Sequence, residues 1–469
     1  MSRANQDQLK EKELFESMPI MKAIMKLVVP TVIGQIILVV YNMADTYFIG
    51  QTNDHYKVAA VTICMPAFMF LSAISNLFGV GGSSVISRSL GQGKTARARS
   101  TSAFAMWGCL ITTLVYALGA FLLRDTFLNL LGGSDPTVHA YAIRYLMVTV
   151  VGCGIGASMS TLFSHLLRSE GRSLQASFGI AMGGILNILL DPLFMFVILP
   201  KGNEVLGAAI ATGLSNVIAA IYFIVILYRS KQDSVLGFRF SHKMVEEDIP
   251  KDVFSAGLPA CLMTLCENIS YAVLDNLMSA NGVIMTTGIG VAKKVNMLAH
   301  CMVRGMSQGV LPLIGYNYAS GNHKRMRQSV LICMSISVGL ATACMVIGLT
   351  LSNALITIFL PDGGEAVSYG ARFLRILCIG GPFSACAYAF ISFFQATGEG
   401  LKSLLLALLR KGVLDIPMMF VLNGLYPIYG IVWATPIADM VCCVVAICLF
   451  VNFMKHHVNL NRDTVPEID

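Results

Sequence analysis

Apolar runs of about 20 residues or more recur along this chain, and a run of that length is what a helix needs to cross a hydrocarbon core roughly 30 Å thick. They fall near residues 23–49, 58–86, 103–123, 142–165, 174–199 and 205–228, then near 253–280, 283–315, 329–360, 370–396, 403–423 and 428–454. Inside lipid the backbone must satisfy its own polar groups, so such runs dictate helices. The predicted fold is an all-α polytopic membrane protein with about twelve transmembrane helices. Composition agrees: 13% of residues are charged, against about 25% in soluble domains.

The connections test that count. Arg88, Lys94, Arg97 and Arg99, then Arg168 and Arg172, then Arg229, Lys231, Arg239, Lys243 and Lys251, then Lys324, Arg325 and Arg327 occupy alternate connections. The intervening set holds little beyond Lys57, Arg124, Arg144, Lys201 and Arg372. The bias of short loops places the first set, and with it both termini, in the cytoplasm of a cell inner or plasma membrane. The polar first twenty residues carry no secretory signal. The net charge of +7 is spread between spans rather than gathered on a soluble domain, which excludes nucleic acid as a partner. Gly91-Gln-Gly93-Lys94-Thr95 has Arg88 where a nucleotide-binding loop needs its first glycine, so no ATP site is expected. The 13 cysteines show no metal-ligand spacing.

A charged connection, ending in Glu246-Glu247-Asp248-Ile-Pro250, divides the chain. The expected organisation is a cytoplasmic N-terminal segment (1–22), an N-lobe of six helices (23–228), a cytoplasmic linker (229–252), a C-lobe of six helices (253–454) and a cytoplasmic tail (455–469). The halves look alike: Pro30 aligns with Pro259, Gly93 with Gly321, and Gly207-Ala-Ala-Ile-Ala-Thr212 with Gly430-Ile-Val-Trp-Ala-Thr435. An offset near 225 residues with six helices per half is a parallel internal repeat.

Polar groups at membrane depth mark candidate sites, because an ionisable group there costs at least roughly 2.5 kcal/mol. In the first run these are Gln35, Tyr41 and Asp45, with Tyr41 and Asp45 one helical turn apart. Asp191 lies in the fifth run with Asn187 one turn before it. Lys26 to Asp45 and Arg172 to Asp191 are equal intervals, about 28 Å of helix, which puts both carboxylates at one level in the outer half of the N-lobe. Two close carboxylates in low dielectric do not both ionise cheaply, so the pair exchanges a proton when water reaches it. With Tyr41, Asn187 and Thr212 as further oxygen ligands, the same cluster alternatively holds sodium. Asp191 also precedes Pro192, where its alternative role is to brace a kinked backbone. In the seventh run, Glu267, Tyr271 and Asp275 are substrate-cavity candidates with Gln35. Glu267 either attracts cationic compounds or pairs with Lys293, Lys294 or Arg304. Arg410, Lys411, Asp415 and Asp439 read as static pairs, and His165 as an interfacial residue.

These landmarks resemble the multidrug and toxic compound extrusion (MATE) family, in its bacterial drug-exporting branch. The resemblance is carried by Pro30, Gln35 and Ala44-Asp45-Thr46-Tyr-Phe-Ile-Gly50, by Ser87-Arg88-Ser-Leu-Gly91, by Asn187-Ile-Leu-Leu-Asp191-Pro192, and by Gly309-Val-Leu-Pro312-Leu-Ile-Gly315-Tyr-Asn317-Tyr. It implies two six-helix lobes rocking around a central cavity, and export of bulky cationic or amphipathic compounds driven by protons or sodium. It carries Tyr41, Asp45, Asn187 and Asp191 over as cation-binding positions, without cofactor. No acid stands in the tenth run to match the second-lobe sodium site of the sodium-coupled branch. The rival readings are a lipid-linked saccharide flippase, whose cavity would need several arginines, a membrane-embedded enzyme, for which no nucleophile, base and metal set converges, and an ion channel.

Overall fold

In the computed structural model residues 12–457 are described, apart from 53, 132–134, 233, 247, 362 and 363. Residues 1–11 and 458–469 of the expected termini, and Glu247 of the linker, lie outside the described residues. Among the described residues twelve helical rods follow one another. The first six are α1 (Ile20–Gly50), α2 (His55–Gly91), α3 (Thr95–Leu122), α4 (Pro136–Gly152 continued by Gly154–Ser169), α5 (Ser173–Ile198) and α6 (Glu204–Arg229). The second six are α7 (Ile249–Ser279), α8 (Val283–Ala319), α9 (His323–Thr357), α10 (Glu365–Ile379 continued by Gly381–Thr397), α11 (Gly400–Leu408 running through Leu409–Val413 into Asp415–Leu425) and α12 (Tyr429–His457). Eight of these helices are long and apolar enough to cross a membrane, and the bent rods α4 and α10 bring the number to ten. The remaining rods, α8 and α11, carry Lys293, Lys294 and Arg304, and Arg410, Lys411 and Asp415.

The repeat is written into the backbone. α4 bends by 48° after Gly152 and α10 by 42° at Gly380, 228 positions later. Gly93 and Gly321, which follow α2 and α8, have φ +72 and +78, and Gly171 and Gly398, which follow α4 and α10, have φ +78 and +83. A left-handed residue just past a helix end caps it, and glycine does so without a Cβ clash. Equivalent turns therefore close equivalent helices in the two halves.

The lobes α1–α6 and α7–α12 meet through α2 on α7 and through α8 on α1 and α2. Backbones touch there. A Cβ on Gly257 would stand 1.8 Å from the Leu77 carbonyl oxygen, one on Gly81 2.2 Å from that of Val253, and one on Gly91 2.3 Å from that of Tyr316. These contacts lie toward the end of the molecule that carries the basic connections. Polar bridges join the same region: Arg97 to Asp252 at 2.7 Å, Asn76 Nδ2 to Thr264 Oγ1 at 2.9 Å and Gln35 Nε2 to Gln308 Oε1 at 3.2 Å. The segment Glu13–Ser17 straps this end. Phe15 is fully buried and stacks on Tyr316 at 4.9 Å, Arg325 donates to the carbonyls of Phe15 and Met18 at 2.7 Å each, and Leu14 packs over Gly171 of the other lobe. The linker also lies on the first lobe, where the buried Glu170 carboxylate accepts from Ser234 Oγ and the Val235 N–H at 2.7 Å each.

Gly257→Ala should lower the melting temperature of the purified protein, since relieving so close an approach costs on the order of 1–3 kcal/mol. Gly339→Ala is the control, because a Cβ there meets nothing within 4 Å. Equal melting of the two variants would show that the backbones are not in contact.

Candidate functional site

Small residues bring α5 against α1. A Cβ on Gly184 would lie 3.0 Å from Ile37 Cγ2 and 3.2 Å from Tyr41 Cδ1. Gly184, Asn187 and Asp191 share one stripe of α5, at i, i+3 and i+7, and Ile37, Tyr41 and Asp45 share one stripe of α1, at i, i+4 and i+8. Once Gly184 admits Ile37 and Tyr41, the next turns of each helix must face one another. α6 closes the cluster, with Asn187 Nδ2 donating to Thr212 Oγ1 at 3.2 Å.

Asp191, Asn187 and Thr212 are 0, 1 and 5% exposed, while Asp45 is half-buried. Asp45 and Asp191 are close enough to feel each other's charge, and Tyr41 lies within electrostatic reach of both. Neither carboxylate makes an ion pair with a described residue. Asp45 Oδ1, both carboxylate oxygens of Asp191 and Asn187 Oδ1 are buried and accept no hydrogen bond from any described residue. A buried oxygen without a donor carries a desolvation penalty of about 1–3 kcal/mol, and four of them in one cluster fit a proton or a hard cation that prefers oxygen ligands. Among the described residues no group of three or more His, Cys, Asp and Glu is placed to hold a metal ion.

Sequence reasoning missed Tyr145 on α4, which is 2% exposed and within electrostatic reach of Asp45 and Asp191. Its signal was available as a lone phenol within an apolar run, but only the packing of α4 on α2 and α6 places it.

The second lobe treats its acids differently. Glu267 pairs with Arg304, which also donates to Tyr388 Oη at 3.2 Å. Asp275 pairs with Lys293, and the Tyr271 ring lies under Lys293 and Lys411 at 5.4 and 5.5 Å. Of the two roles open to Glu267, pairing is the one its geometry adopts, and Glu267 and Asp275 are not free acids. Lys411 binds Asp415 at 3.0 Å and Arg410 binds Asp439 at 2.6 Å, all four residues being at most 3% exposed. Ser270 and Thr435 donate to Asp415 at 2.6 and 2.9 Å. The expected static pairs are therefore present, and π turns at Leu409–Val413 swing Arg410 and Lys411 inward.

Between the lobes a cavity is walled by α2, α4, α7, α8 and α10, and its lining includes Asn76, Arg168, Arg304, Ser307, Tyr388 and Gln395. Gln35 reaches this wall only through Gln308. His165 and Arg168 correct the sequence reading: His165 is 7% and Arg168 2% exposed, and both face this cavity rather than the membrane interface or a cytoplasmic connection. The last turns of α4 still lie beneath the lobe contact, and Gly79 leaves the room His165 occupies, a Cβ there falling 2.9 Å from His165 Cδ2.

The fold and these sites define a membrane transporter of two six-helix lobes about a shared cavity. The sequence pattern of the MatE family matches residues 30–193 and 259–421, one copy per lobe. The chain belongs to this MATE family of transporters. It is 28% identical over 98% of its length to the whole of the multidrug export protein MepA of Staphylococcus saprophyticus, and 29% identical over 98% to the whole of that of Staphylococcus aureus. Among solved structures, a multidrug resistance MATE transporter in an outward-facing conformation superposes with TM-score 0.85 at 24% identity, covering 95% of this chain and 98% of that one. A point mutant of the Vibrio cholerae MATE transporter VcmN gives 0.83 at 20%, covering 96 and 98%.

Asp439→Ala should destabilise the protein by about 3–5 kcal/mol by leaving Arg410 buried and uncompensated. Replacing both, Arg410→Met with Asp439→Leu, should recover much of that loss in purified-protein melting. A single variant as stable as the parent would deny the pair a structural role.

Proposed function

We propose that this chain is a secondary active exporter of bulky cationic or amphipathic organic compounds, driven by protons or sodium ions moving the other way through alternating access. The observation that supports the coupling is the first-lobe cluster, in which Asp45, Asp191 and Asn187 hold four buried oxygens that accept from no described residue, whereas Glu267, Asp275, Asp415 and Asp439 of the second lobe are each paired with a base. A paired carboxylate holds its charge, whereas an unpaired one is free to change partner. Asp45 is half-buried and Asp191 fully buried, and in this reading Asp45 exchanges with water while Asp191 holds the second binding position. Tyr41, Asn187 and Thr212 complete an oxygen-rich wall. The names of the staphylococcal relatives support export of drugs. The positive loops support a cell-membrane orientation with both termini cytoplasmic, an N-lobe of 23–228, a linker of 229–252 and a C-lobe of 253–454. In that orientation the glycine contacts of α2, α7 and α8 close the cytoplasmic side.

Purified protein in proteoliposomes tests the proposal with a fluorescent cation under an imposed proton gradient and then a sodium gradient. Uptake should follow one gradient and collapse with its ionophore. Asp45→Asn should abolish gradient-driven transport yet retain substrate counterflow, which needs the moving cavity but no net driving ion. Intact gradient-driven export by Asp45→Asn would overturn the assignment. Asp191→Asn should have the same loss, and the double variant should be no worse than the worse single one, because groups acting as a unit are non-additive. If folded Asp191→Asn protein still transports with the gradient, Asp191 only braces Pro192 and Asp45 acts alone.

A further inference from the structure

The interlobe cavity has the wrong sign for a site built only for cations. Its charged lining residues are Arg168 and Arg304, and no carboxylate lines it. Arg304 is neutralised by Glu267. Arg168 is not: it is 2% exposed, its side chain makes no hydrogen bond or ion pair with any described residue, and its Nε is buried without an acceptor. A buried guanidinium without a counter-charge is costly, and its five donors match the geometry of a carboxylate or phosphate. Two more donors of the same cavity are also unsatisfied. Gln395 Nε2, from α10, and Ser307 Oγ, from α8, are buried and have no partner among the described residues. Arg168 comes from the first lobe and the other two from the second, so an acceptor held by all three would bridge the lobes. Around them Val80, Met263, Leu311 and Ile391 supply apolar surface.

We infer that this cavity holds an anion-accepting subsite, anchored by Arg168 with Gln395 and Ser307, for the carboxylate of an amphipathic organic compound. Zwitterions then fit better than simple cations, because the apolar wall takes the body of the molecule and the guanidinium its acid group. The inference rests on the export reading only in calling the ligand a transported compound; the binding itself needs no driving ion.

A matched pair of dyes tests it: rhodamine 110, which carries a free carboxyl, and rhodamine 123, its methyl ester. Fluorescence anisotropy with the purified full chain in detergent should give tighter binding of rhodamine 110. Arg168→Gln should weaken that binding about tenfold or more, as expected for loss of a charge-assisted bidentate contact, while rhodamine 123 changes little. Arg168→Lys should fall between. Gln395→Glu replaces a donor by a negative acceptor and should also weaken rhodamine 110 selectively, which keeps the test decisive if Arg168→Gln does not fold. No preference for rhodamine 110 in the parent protein, or equal loss of both dyes in the folded variants, overturns the subsite. Selective binding of rhodamine 110 without gradient-driven transport of either dye would instead remove the export reading and leave the subsite standing.

Discussion

A charged group at membrane depth is costly without a partner, and the acids of the two lobes meet that cost in opposite ways. Removing a charge from water costs several kcal/mol unless it is paired. The second lobe pairs: Glu267 with Arg304, Asp275 with Lys293, Asp415 with Lys411 and Asp439 with Arg410. The first lobe leaves Asp45 and Asp191 together with no base. Two repeats with the same backbone plan thus carry one set of paired charges and one cluster of carboxylates without a base among the described residues.

The same backbone plan brings the halves into close contact. Glycines thin α2, α7 and α8 where the lobes touch, so main chains meet at one end and the cavity lies beyond them. The strap Glu13–Ser17 spans this seam, joining Gly171 of one lobe to Tyr316 and Arg325 of the other. The cavity between the lobes is chemically distinct from the carboxylate cluster, cationic and donor-rich where the cluster is anionic and acceptor-rich.

The class of the protein was legible in the chain before any packing was known. Apolar runs of membrane length, the alternation of basic connections and the spacing of Pro30 with Pro259 and Gly93 with Gly321 are local or periodic signals, and each depends only on what a helix must be in lipid. Asp45 and Asp191 were legible for the same reason, since a carboxylate in an apolar run is conspicuous wherever the helix packs. Which of the ionisable groups stay unpaired was settled only by the way the helices cross. Glu267 has basic residues within reach in three sequence positions, and the crossing of α7 with α8 selects Arg304. Arg168 looked like part of a cytoplasmic connection because it sits near the end of a run, yet the packing of α4 against α2 turns it into the cavity. Helical periodicity assigns residues to each stripe of a rod, whereas the partner across the stripe comes from interhelix contacts between residues far apart in the chain, and those contacts determine which charges are paired and which are left without a partner among the described residues.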